Sequence, residues 1–175
     1  MATSRTRPNA SSARKILSLS ALVLKLSRGK RRGRKVVFTN GVYDLVHPGH
    51  VALLEKAKAL GDILVVGVNS DRSSQSLNKA PGRPIVGQAD RARVIAGLGA
   101  VDYVVVFDEP TPIKVIERLL PDVLVKGADW TAGTIVGSDA VKAADGRVVR
   151  ISLVAGRSTT ALVERIRAGK SALDA

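Results

Sequence analysis

The sequence predicts an α/β domain built on a doubly wound parallel sheet of about five strands. Three observations predict it. Short runs of Val, Ile and Leu recur along the chain, apolar on both faces as buried parallel strands are. Segments of helical period separate them, so strands alternate with helices. The first strand leads through a glycine-containing turn into a helix, the arrangement that binds anions at the carboxyl edge of such a sheet. A chain of 175 residues with 45% hydrophobic content suits a single domain of this kind. Aromatics make up only 3%, so the core must come from Val, Leu, Ile and Ala.

Residues 1–13 hold Ser, Thr, Arg and Pro with almost nothing to bury, and read as a disordered basic tail. The same composition also fits an organelle transit peptide, but the next segment belongs to the domain. Residues 14–34 read as an N-terminal helix and a basic linker. Ile16-Leu17 and Leu19 to Leu26 supply the helix, with Ser18 as its cap, and it is too short to cross a bilayer. The linker GKRRGRK reads as solvated rather than as a nucleic-acid contact, because no aromatic is interleaved for stacking.

Lys35 to Phe38 is the first strand, which Thr39-Asn40-Gly41 is expected to break. From His50 the period becomes helical through Val51, Leu54, Ala57 and Leu60, and Pro48 suits the first turn. Gly61-Asp62 should cap this helix, and Ile63 to Val68 form the second strand. Asn69 to Gln88 reads as a long loop of the kind that often serves as a lid. Helices follow at Ala89 to Leu98, Pro112 to Leu120, Ile135 to Ala144 and Thr159 to Arg167. Strands alternate with them at Val101 to Phe107, Val123 to Lys126 and Val148 to Leu153. The result is a Rossmann-like order without internal repeats.

The net charge of +13 is unevenly spread. Residues 1–35 contain eleven Lys and Arg and no acid, whereas the rest carries 17 bases against 15 acids. The basic character therefore belongs to one end, and a general polyanion-binding body is not indicated. With no cysteine there is no disulfide framework, which is compatible with a reducing cytoplasm.

Both histidines of the chain, His47 and His50, fall in the turn before the helix. They could be ordinary loop residues. Asp44, His47 and His50 are spaced by threes and could form part of a metal site, but the chain has no further His or Cys to complete a zinc shell. Neutral imidazoles donating N–H bonds to a phosphate at the helix start fit the residues better.

The run GVYDLVHPGH resembles the signature of the HxGH nucleotidyltransferases, the cytidylyltransferase-like superfamily. The resemblance spans about Ile16 to Arg167. It implies that His47 and His50 contact the nucleotide phosphates and stabilise the pentavalent α-phosphorus. Thr39, Asn40 and Gly41 would then meet the nucleotide through backbone groups, with Asp44 in support. In Lys126-Gly127-Ala128-Asp129-Trp130 it implies Lys126 near phosphate, Gly127 at the nucleotide and Asp129 near ribose. Trp130 reads equally as core or as a ring against ligand. Ser158, Thr159 and Thr160 resemble the segment that binds the triphosphate, although as residues alone they equally suit a helix cap. Arg91 matches an arginine that holds phosphates, and either Lys79 or Arg83 would meet the transferring phosphates.

Within the superfamily the chain is most similar to the branch that adenylylates D-glycero-β-D-manno-heptose 1-phosphate. Members commonly carry Cys-Phe where this chain has Val42-Tyr43, and Tyr keeps the aromatic role. The implied reaction is attack of a sugar phosphate on the α-phosphorus of ATP. His47, His50, Lys126 and a loop base would offset the charge, and Mg²⁺ would accompany ATP. A cytidylyltransferase using CTP with glycerol 3-phosphate is the rival within enzymes. A nucleotide-binding regulator or a nucleic-acid binder acting through the basic tail is the rival outside them. The domain bearing the activity is expected over 35–168, with 169–175 as a C-terminal tail. A homodimer, a cytoplasmic location and a separate sugar kinase supplying the substrate complete the expectations.

Overall fold

The computed structural model describes residues 11–30, 32–77, 82–127, 135–152, 154 and 156–169. At its centre is a parallel sheet of five strands: β1 (Val36–Gly41), β2 (Ile63–Asn69), β3 (Tyr103–Phe107), β4 (Val123–Gly127) and β5 (Arg147–Ile151). Their spatial order is β3-β2-β1-β4-β5. Chain direction across the sheet therefore reverses at β1, with β2 on one side of it and β4 on the other.

Alternate residues of each strand face opposite layers. Val37, Leu64, Val66, Val104 and Val125 pack on helices α2 (Pro48–Lys58) and α4 (Gln88–Gly97) through Leu54, Ala57, Ala92 and Ile95. Val36, Phe38, Val65, Val105 and Leu124 pack on the other face against α1 (Leu19–Lys30), α5 (Ile113–Leu119) and α6 (Ser138–Ala143). The contacts there come from Leu22, Leu26, Val115, Ile116 and Val141. Helices on both faces explain why the strands read as unbroken apolar runs. No helix among the described residues is long and apolar enough to cross a membrane.

Four local expectations change. β1 does not stop at Phe38 but runs through Thr39, Asn40 and Gly41, which pair with Val66, Gly67 and Val68 of β2. A complete partner ladder overrides the turn preference of Thr-Asn-Gly. The N-terminal helix starts at Leu19, not Ile16: Ser12–Lys15 is a 3₁₀ turn and Ile16 makes a parallel bridge to Val104. Ser18 does cap α1, accepting the Ala21 N–H at 3.3 Å. Lys15 donates to the Val101 carbonyl at 2.7 Å, so the turn joins the body and straddles the division expected at residue 14. The segment 69–88 holds a short helix, α3 (Asp71–Ser76), capped by Ser70 accepting from the Ser73 N–H. Its residues DRSSQS carry no apolar period to announce it. Gly61 is no left-handed cap. A Cβ there would stand 2.7 Å from the Val37 side chain and 3.0 Å from the Lys35 carbonyl, so the helix-to-strand turn needs its bare backbone.

The outer elements shift slightly. α6 begins at Ser138, leaving Ile135 buried ahead of it, and β5 is Arg147–Ile151. At the amino edge of the sheet three aspartates set register. Asp62 accepts the Lys35 N–H, Asp122 the Val36 N–H and Asp102 the Leu64 N–H, each at 2.7 Å. Each stands just before its own strand and ties down the start of a neighbour.

Candidate active site

At the carboxyl edge, where the sheet order reverses, lies a cleft of about 340 Å³. Asn40 and Gly41 from the end of β1 and Gly127 from the end of β4 form its floor. A parallel sheet offers its ligand site at such a reversal, because the flanking loops leave in opposite directions and open a crevice. The turn 42–50, Arg83-Pro84 and residues 157–160 supply the walls.

His47 is the N-cap of α2, in extended backbone, and Pro48 takes the first helical position. Its carbonyl accepts from the His50 N–H at 2.9 Å. One helical turn thus brings the two imidazoles together, stacked with centroids 3.9 Å apart and planes at 25°. Gly49 makes the stack possible, since a Cβ there would come within 2.9 Å of the His47 ring. Tyr43 meets His50 edge-on at 5.2 Å. Its backbone is left-handed, at φ 51°, and burial pushes its phenol pKa up.

Both imidazoles are held neutral. Burial and then the Arg157 charge lower the His47 pKa below the ordinary imidazole value. Burial first, and His47 next, push His50 down to about 4. The Nδ1 atoms of both are buried and have no hydrogen-bond partner among the described residues. Neutral rings can donate one N–H each without bringing charge into the cleft.

Asp44 does not join the histidines in a metal shell. One oxygen accepts the Ile85 and Val86 N–H groups at 2.8 and 2.9 Å, and the other accepts Arg83 Nε at 2.5 Å. Burial opposes its charge, but these bonds outweigh it and keep the carboxyl below its ordinary pKa. Asp44 thereby fastens the 83–86 segment over the turn and partly neutralises Arg83. Among the described residues no group of three or more His, Cys, Asp or Glu could hold a metal ion.

Most residues expected at the site converge there. Asn40, Gly41, Asp44, His47, His50, Arg83, Gly127, Ser158, Thr159 and Thr160 all line the cleft. Thr39 lies beneath it, 1% exposed. Lys126 is buried one residue behind Gly127, with its ammonium bonded to the Asn40 side-chain oxygen between β4 and β1. Ser158 caps α7 (Thr159–Arg167), accepting the Ala161 N–H at 3.1 Å, and Thr159 Oγ1 donates to the Leu45 carbonyl at 3.3 Å. Cap and cleft wall are therefore one feature, not alternatives.

Arg91 is the exception. Its side chain is wholly buried and bonds to the Val86 and Val42 carbonyls and to Asp71 Oδ1, at 2.8, 2.5 and 2.7 Å. It braces the cleft wall from behind. Lys79, Asp129 and Trp130 lie outside the described residues. Arg157, Leu53 and Ser74 also line the cleft, and nothing in the sequence singles them out.

Residues 38–164 match the cytidylyltransferase-like family model. The chain belongs to the cytidylyltransferase-like family. The bifunctional protein HldE of Syntrophotalea carbinolica is 56% identical over 137 residues, covering 78% of this chain and 28% of that protein. HldE of Mesorhizobium japonicum is 52% identical over 156 residues, 89% of this chain and 31% of that one. The chain thus spans less than a third of the length of these curated relatives. The crystal structure of a lipopolysaccharide core biosynthesis protein from Thermoplasma volcanium superposes with a TM-score of 0.59 at 27% identity, over 70% of this chain and 98% of that one. Pantoate-beta-alanine ligase from Francisella tularensis shares the fold, with a TM-score of 0.57 at 14% identity, over 83% of this chain and 68% of that one. The HPGH turn of this cytidylyltransferase-like chain sits inside the matched region, at the reversal of the sheet.

Proposed function

We propose that the chain transfers the adenylyl group of ATP to D-glycero-β-D-manno-heptose 1-phosphate, giving ADP-heptose and pyrophosphate. The observation that carries this reading is the pair of stacked, neutral histidines at the start of α2, inside the cleft at the sheet reversal. The likeness to HldE and to the lipopolysaccharide core protein supports a sugar phosphate as acceptor.

An oxygen of the sugar phosphate attacks the α-phosphorus of ATP in line. The new P–O bond forms as the bond to the α,β-bridging oxygen breaks, and pyrophosphate departs with that electron pair. No proton must move, because the attacking phosphate is already anionic. His47 and His50 donate N–H bonds to oxygens whose charge grows in the transition state. Lys126, tied to Asn40, adds positive charge beneath the floor. The N-termini of α2 and α7 present backbone N–H groups to the phosphates. Mg²⁺ would accompany ATP and offset charge on its phosphates, while Asp44 stays committed to Arg83 and the 85–86 backbone. A sugar kinase supplies the acceptor, and the reaction belongs in the cytoplasm, where ATP is held.

The test is pyrophosphate release measured with each nucleoside triphosphate against a panel of sugar phosphates. ATP should be consumed only when a sugar 1-phosphate is present. Turnover of CTP with glycerol 3-phosphate while ATP stays inert would overturn the adenylyl assignment.

A further inference from the structure

The cleft presents two guanidinium groups with very different surroundings. Arg83 is mostly buried and paired with Asp44 at 2.5 Å, so much of its charge is already spent. Arg157 lines the same cleft and has no carboxylate partner among the described residues. It stands where two helices begin: its Cβ lies 3.3 Å from the point a Gly49 side chain would occupy in α2, and the next residue caps α7. The buried Nδ1 atoms of His47 and His50 line the same cleft and have no hydrogen-bond partner among the described residues. An uncompensated cation, two helix N-termini and polar atoms awaiting partners together describe a receptor for concentrated negative charge.

We propose that Arg157 holds the β- and γ-phosphates of the nucleotide and the pyrophosphate they become, acting as a specificity-determining residue of the triphosphate end. The charge distribution of the substrates argues for this assignment. The α-phosphate of a bound nucleotide carries one negative charge and the acceptor phosphate about two, whereas the β,γ pair carries about three and gains another as it leaves. The densest anion belongs with the cation that no carboxylate offsets. Arg83, fastened by Asp44, has less charge left to offer such an anion. Burial first, and the Arg157 charge next, lower the His47 pKa, so positive charge beside these rings comes from a guanidinium, which does not deprotonate.

The inference rests on the adenylyl-transfer reading for the identity of the ligand, but it is tested without turnover. Inorganic pyrophosphate and AMP are titrated calorimetrically into the full chain, into Arg157→Ala and into Arg157→Lys. Pyrophosphate affinity should fall about tenfold in Arg157→Ala, the weight of one charge-assisted pair, while AMP affinity holds. Arg157→Lys should recover part of the loss, because it restores the charge without the planar fork. Equal pyrophosphate affinity in the wild type and Arg157→Ala would overturn the proposal. An equal loss of AMP and pyrophosphate would overturn it too, since that reports a disturbed cleft. If Arg157 governs pyrophosphate binding but ATP is not consumed with any sugar 1-phosphate, the triphosphate site stands and the acceptor assignment falls.

Discussion

At the residue scale the site depends on groups held in unusual states by their neighbours. His47 or His50 replaced by Ala should lower turnover by about 10²-fold with ATP binding largely kept, as for a lost oxyanion-type donor. Steady-state kinetics beside ATP titration separate the two effects. The histidines also tie stability to pH. His50 titrates near 4 in the folded chain against an ordinary 6.5, so between these values the unfolded state takes up a proton that the folded state refuses. Stability should therefore fall as pH drops from 6.5 towards 4 and be insensitive to this group above 6.5. Urea midpoints across that range should show the slope, and His50→Gln should flatten it. Arg91 is a different case. Its removal leaves two carbonyls without their donor and Asp71 without its partner, at a cost of about 3 kcal/mol by urea denaturation. An Arg91→Ala chain of normal stability but weak ATP binding would instead make Arg91 a phosphate ligand.

At the element scale, the two edges of the sheet are chemically divided. The amino edge uses Asp62, Asp102 and Asp122 to accept backbone N–H groups from adjoining strands. The carboxyl edge carries Asn40, Gly41, Lys126 and Gly127, with the histidines on the helix above. These three carboxylates thus stand at the end of the sheet away from the cleft. Asp122→Ala removes the bond that ties β4 to the first N–H of β1, and should cost about 1–2 kcal/mol. Turnover at low temperature should survive, because the lost bond lies at the opposite end of β1 from the cleft. A chemical denaturation curve and a rate measurement on the same preparation check both halves.

At the scale of the whole molecule, the order β3-β2-β1-β4-β5 converts separate stretches into one cleft. His47 and Thr160 are far apart in sequence yet line the same cavity, because β4 pairs with both β1 and β5 and the loops after β1 and β5 leave the same edge of the sheet. On the proposed reading the acceptor phosphate is the nucleophile, so no adenylyl-protein intermediate should form. Labelled pyrophosphate should not exchange into ATP when sugar phosphate is omitted, and exchange under those conditions would reject the mechanism while leaving the fold untouched.

The alternation of strands and helices, the HPGH turn and the capping segment at Ser158 were legible in the chain itself, because each depends on local period or on residues only a few positions apart. Strand length at β1 was not, since the Thr-Asn-Gly preference for a turn yields only to a ladder supplied by β2. Nor was α3, whose polar residues carry no period and which is held by the Ser70 cap and by the Ser73 hydroxyl, accepting from Asn69 and donating to the Glu109 carbonyl. The fate of Arg91 illustrates the limit. Its sequence position fits a phosphate ligand, but Val42, Val86 and Asp71 converge on its guanidinium only when the chain is folded. Arg157 went the other way, from an unremarked neighbour of a cap to the cation at the meeting of α2 and α7. The sequence alone determined the alternation of strands and helices and which residues could carry charge at a phosphate. Tertiary structure decided which charges are already spent on the protein and which remain for the ligand, because that depends on partners brought together across the sheet.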